Sequence, residues 1–200
     1  IAFHREQGAA GLLEAFAAGH AHFDEVLRTL QDTDWDRPCY HRRGNMSIGH
    51  YAILRLQELT IHGWDIRSPF DVTATLSVPP LPWLLPPMQR WLTSAFRPLP
   101  ELRTPLRYRF ETSGSFTVQQ DVLVSQEGVH LEAVAAHPAD VTFRCTTGDA
   151  LLLIYGRRSL EQAAEAGCLE IVGEPSQAAL FPALLWELCS ADPLARQSAR

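Results

Sequence analysis

Hydrophobic positions in the first third of the chain recur with a helical period. Leu12, Leu13, Phe16, His20, Phe23, Val26, Leu27 and Leu30 are spaced by threes and fours, which predicts an amphipathic helix over residues 10–30. Asp32-Thr33-Asp34 ends it, and Trp35 to Gly44 reads as a polar loop. Ser47 is placed to cap a second helix running to about Ile66, with Ile48, Ala52, Leu56, Leu59 and Ile66 among its apolar positions. Pro69 stops that helix, because proline disfavours helical backbone in the residue before it. The stretch Ser77 to Pro82 reads as a linker or the start of another helix, and Trp83 to Phe96, interrupted by Pro86-Pro87, as helical in its second half.

After Pro98 the period drops to two. Leu106, Tyr108 and Phe110 alternate with Arg107, Arg109 and Glu111, as in a strand buried on one face. Phe116–Val124 and Val129–Val134 read as two more strands joined at Glu127-Gly128, Val141–Cys145 as a fourth and Leu169–Val172 as a fifth. Between the last two lie a helix from about Gly148 to Tyr155 and a short one opened by a Ser159/Gln162 capping box and closed by Gly167. A final helix is expected over Ser176–Leu188. Helices followed by a strand block imply an α+β fold of two modules, residues 1–97 and 98–200.

Composition removes several chemistries. All 17 basic side chains are arginine, against 23 acidic ones, for a net charge of −6. Without lysine there is no Schiff base and no phosphate-cradling Gly-Lys-Ser/Thr loop. An acidic chain without a lysine-rich face is a poor nucleic-acid partner. Cys39, Cys145, Cys168 and Cys189 form no CxxC pair and read as free thiols. No apolar run reaches the ~20 residues of a membrane span, and no signal peptide is visible, so a cytoplasmic protein is expected. The chain starts at Ile1 without an initiator methionine, so upstream sequence is expected as well.

The densest reactive cluster is Glu58-Leu59-Thr60-Ile61-His62-Gly63-Trp64-Asp65. Glu58 and His62, four apart on a helix, share one face and can offer a carboxylate and an imidazole to one divalent metal; the same spacing also makes an ordinary surface pair. If they form a site, both should point inward with their functional groups within a few ångströms of each other, and a pair that faces open solvent counts against the metal. Asp65, three residues on, is placed to accept a hydrogen bond from the second imidazole nitrogen or to orient the helix end. His20 is a candidate partner or a core histidine, and Cys39/His41 a weaker Cys-x-His pair. His50 is badly placed, at about 18 Å along the helix from His62. His4, His22, His130 and His137 read as solvated, Trp64 as a pocket wall or packing, and Cys145 as core. Ser47 and Ser159 have no base at recognisable spacing, so no acyl-transfer triad is indicated.

The segment Glu58–Asp65, together with Asp34-Trp35-Asp36-Arg37-Pro38 and Arg55-Leu56, resembles the metal-binding helix of the mycothiol-dependent maleylpyruvate isomerase family. That family joins a DinB-like four-helix bundle to a domain similar to sterol carrier proteins. The strands from Leu106 onward, with Ala139-Asp140-Val141-Thr142 and Tyr155-Gly156-Arg157, resemble the latter. The resemblance implies a partial DinB-like bundle followed by a sterol-carrier-like α+β domain with an antiparallel-rich sheet. It implies zinc, or another divalent metal, on Glu58 and His62, with Asp65 behind them and a further histidine from a helix upstream of Ile1. It further implies a low-molecular-weight thiol such as mycothiol as cosubstrate, an electrophilic and acidic substrate, and Arg157 as the residue gripping that substrate; capping of the preceding helix by Arg157 or Arg158 is the plainer role. The expected activity is a metal-dependent thiol transferase or isomerase. The alternative is a non-enzymatic carrier of an apolar small ligand in the C-terminal domain.

Overall fold

The computed structural model describes residues 8–185 apart from 43, 87 and 101. The chain forms two compact units, Ile1–Leu54 and Arg55–Arg200, which divide within the second long helix. The fold is mixed: helices lead and a sheet follows.

In the first unit, α1 spans Ala9–Thr29. A 3-10 turn at Asp32–Asp34 follows, closed by a capping box between Gln31 and Asp34. The expected polar loop holds a two-residue ladder, β1 (Pro38–Cys39) against β2 (Met46–Ser47). Ser47 then caps α2 (Ile48–Arg67), its Oγ accepting from the His50 amide at 3.2 Å. Phe23 of α1 meets Tyr51 edge-on at 6.1 Å. The amphipathic stripe of α1 is real, yet no residue of this helix is buried, and Leu12, Leu13, Phe16 and Val26 lie exposed.

The second unit is built on five strands: β3 (Leu106–Ser113), β4 (Gln119–Ser125), β5 (Gly128–Glu132), β6 (Val141–Thr146) and β7 (Leu169–Gly173). Their order is β5-β4-β3-β6-β7, antiparallel except for the parallel β3–β6 pair. Register puts Tyr108, Val122, Val141 and Leu131 on one face, with Phe110 opposite Phe143. On this face pack α3 (Leu81–Leu84), α4 (Met88–Ala95), α5 (Thr147–Ile154), α6 (Leu160–Glu165), α7 (Pro175–Ala178) and α8 (Leu180–Ala183). Tyr108, Phe110, Phe143 and Phe181 form the aromatic centre of the core, with ring centroids 4.9 to 5.9 Å apart. The expected last helix is two short ones, and its part beyond Leu185 lies outside the described residues.

The other face is charged, and the connection from β5 to β6 crosses it. Asp121 of β4 is fully buried there and accepts from Arg109 at 2.7 and 3.0 Å, from Arg107 at 3.2 Å and from the Ala135 amide at 3.0 Å. Burial works against its charge, but these donors overcome it and hold the carboxyl down to about 2. A buried carboxylate with four donors thus ties the crossover to the sheet.

Candidate functional site

The site lies in the second unit, where the later turns of α2 meet the end of α5. At roughly 100° per residue, Ile61 and Trp64 share one stripe of α2 and Glu58 and His62 share another, with Asp65 on the border between them. Burial follows that geometry. Ile61 and Trp64 are buried, and the Trp64 indole donates to the Ala74 carbonyl at 2.9 Å. The side chains of Glu58 and His62 are 55% and 56% exposed, and that of Asp65 is 32% exposed. The inward orientation expected for the pair is therefore corrected: the buried stripe is taken by Ile61 and Trp64, which turns Glu58 and His62 outward. Trp64 packs in the hydrophobic core.

His62 stands between two carboxylates. Its Nε2 lies 3.1 Å from Glu58 Oε2, and its Nδ1 lies 2.9 Å from Asp65 Oδ2. Asp65 is also held by Arg157, whose Nε and Nη2 donate to Oδ1 and Oδ2 at 3.0 and 3.1 Å. Partial burial disfavours the charge of Asp65, but hydrogen bonds from Arg157 and His62 hold its carboxyl below the usual carboxylate range.

Arg157 is delivered by the way α5 ends. Gly156, at φ +64°, takes the left-handed conformation of a Schellman motif. Its amide donates to the Leu153 carbonyl at 3.0 Å, and the Arg157 amide to the Leu152 carbonyl at 2.8 Å. The Arg157 Nη1 donates to the Tyr155 carbonyl at 3.0 Å, so the residue also serves the helix end, as the plainer reading expects. Three of its five N–H donors are engaged by these bonds, which leaves two. Beside it a cavity of about 190 Å³ is lined by Arg157, Arg158, Ser159, Gln162, Leu153 and Phe181, among others. Arg158 itself bonds Asp149 at 2.5 Å.

Two donors are half of the four that a zinc site takes. Glu58 and His62 sit close enough to hold one ion between them. Asp65 is not a third, because it occupies the opposite nitrogen of the ring. Among the described residues no group of three or more His, Cys, Asp or Glu side chains is arranged to hold a metal. The pair present fits the two-donor half of a metal site. His20 is exposed and faces Asp24 of its own helix at 3.6 Å. His41 contacts the Tyr51 ring, and Cys39 is half-buried. His22, His130 and His137 are exposed as expected, and Cys145 is buried in the core, where burial pushes its thiol up to about 12. His4 and Cys189 lie outside the described residues.

A separate apolar cavity of about 320 Å³ lies under the sheet, lined by Leu85, Met88, Phe110, Val122, Leu131 and Ile154, with Thr112, Gln120 and Thr147 as its polar members. It has no local signature in the sequence, since its walls come from six separate elements.

Residues 1–67 match the family model described as mycothiol maleylpyruvate isomerase N-terminal domain. No curated protein matches the chain. Similar solved structures include the UbiJ-SCP2 ubiquinone synthesis protein, 23% identical with a TM-score of 0.42 over 58% of this chain and 99% of that one. Sterol carrier protein 2 from Yarrowia lipolytica, in its apo form, is 13% identical with a TM-score of 0.34 over 42% of this chain and 70% of that one. The sec-alkylsulfatase Pisa1 from Pseudomonas sp. is 18% identical with a TM-score of 0.40 over 47% of this chain, which spans 15% of the sulfatase. Among the described residues no helix is long and apolar enough to cross a membrane.

Proposed function

We propose that this protein is a metal-dependent thiol transferase or isomerase that activates a low-molecular-weight thiol of the mycothiol kind. The observation that carries the reading is the 3.1 Å approach of Glu58 and His62 on a helix lying within the matched family segment. A divalent metal such as zinc, held by these two residues and completed by other donors, would favour thiolate over thiol at neutral pH. Arg157 has two N–H donors left for the carboxylate of an acidic electrophile, and the adjoining cavity has the size of a small organic acid.

The test is a thiol-dependent assay with mycothiol and a panel of acidic electrophiles, maleylpyruvate included. Turnover should require added zinc and fall at least about a hundredfold in His62→Ala, comparable to loss of a metal ligand. Turnover that is indifferent to metal and to His62 would refute the reading. The apolar cavity under the sheet supports a second reading, a carrier of an apolar small ligand.

A further inference from the structure

Asp65 does more than face His62. Its Oδ2 receives both Arg157 Nη2 and His62 Nδ1, while Oδ1 receives Arg157 Nε. Rotation of the carboxylate away from the imidazole therefore breaks two guanidinium bonds along with the imidazole bond. The guanidinium is anchored in turn by Tyr155 and by the Schellman turn at Gly156. Rigidity passes from α5, through Arg157 and Asp65, to a histidine 95 positions away from Arg157 along the chain on α2.

We propose that Arg157 is a positioning residue that fixes which imidazole nitrogen of His62 keeps its proton. A neutral imidazole has a single N–H, and here two carboxylates compete for it. Both oxygens of Asp65 already accept from the guanidinium, so Asp65 can only accept from the ring as well. A carboxylate locked in place holds the proton on Nδ1 more firmly than Glu58, which is over half exposed and has no such anchor. The Nε2 lone pair is then turned toward Glu58 Oε2. Two electron-rich atoms facing each other at that distance form a favourable pair only when a second proton or a metal cation lies between them. Arg157 in this way prepares the Glu58–His62 pair without touching it, as partners of metal-bound histidines do. This inference rests on the metal reading above only for what the prepared pair binds.

The deciding measurement is the imidazole ¹⁵N spectrum of His62 in the full chain without metal, at a pH where the ring is neutral. The Nδ1–H tautomer is expected to dominate in the wild type. Arg157→Ala and Asp65→Asn should each shift the ring toward the Nε2–H form that a free imidazole favours, and Arg157→Lys should restore part of the effect. Zinc competition titrations give the second readout. Each of Arg157→Ala and Asp65→Asn should weaken binding by about tenfold, and the double variant no further, because the two act as one unit. An unchanged tautomer in Arg157→Ala overturns the inference, even if the variant melts at a lower temperature. A wild-type chain that takes up no zinc defeats the metal reading instead, and the tautomer shift still decides this one.

Discussion

Arg157 and Asp65 meet through two parallel hydrogen bonds of 3.0 and 3.1 Å across 92 residues of sequence, joining the helix of the matched segment to the turn after α5. Both side chains are about one-quarter to one-third exposed, so solvent screens the pair. Arg157→Ala is accordingly expected to lower unfolding free energy by only about 1 kcal/mol, as read in urea melts. A loss of several kcal/mol would mean that the pair is chiefly structural.

Gly156 is required by its backbone. At φ +64° an added Cβ is strained, so Gly156→Ala should destabilise the protein by about 1 kcal/mol. Gly63, in the middle of α2 with nothing within 4 Å of a built Cβ, is the matched control. Gly63→Ala should stabilise by roughly 0.5–1 kcal/mol in the same thermal melts, because the helical backbone suits alanine.

Asp121 should govern acid stability. Its folded carboxyl is depressed to about 2, so its contribution is full above the ordinary carboxylate value and is lost as pH falls through that range toward 2. Asp121→Asn leaves Arg109 without its buried counter-ion and Arg107 with Glu132 alone, and should cost about 3 kcal/mol at pH 7. The gap between wild type and variant in urea melts should stay constant at neutral pH and narrow below about pH 4.

The cavity under the sheet is open to a direct probe. An apolar fluorescent fatty acid should bind the wild type, and Leu131→Trp, which fills the space from the edge strand β5, should weaken that binding about tenfold. Equal binding by both would place the ligand elsewhere.

Much of this was legible in local sequence pattern. Two of the five strands followed from strict alternation, at Leu106–Phe110 and Val141–Cys145, and the Ser159/Gln162 capping box and the Gly167 helix stop are short-range signals. The four-residue spacing of Glu58 and His62 likewise brought them to one face. Their outward turn was not legible, because it depends on Ile61 and Trp64 finding a core elsewhere in the chain. Asp65 and Arg157 were each singled out, but their pairing has no local signature: it arises only when strands and helices between them have folded. The ladder of Pro38–Cys39 with Met46–Ser47 was missed for want of alternation in two-residue strands.

Zinc stoichiometry tests the central claim most directly. The full chain, loaded with zinc and dialysed, should retain a single equivalent by elemental analysis, and Glu58→Ala and His62→Ala should each lose most of it while keeping the wild-type circular dichroism. Wild-type protein that retains no zinc, or variants that retain as much as the wild type, would contradict a metal site on this helix.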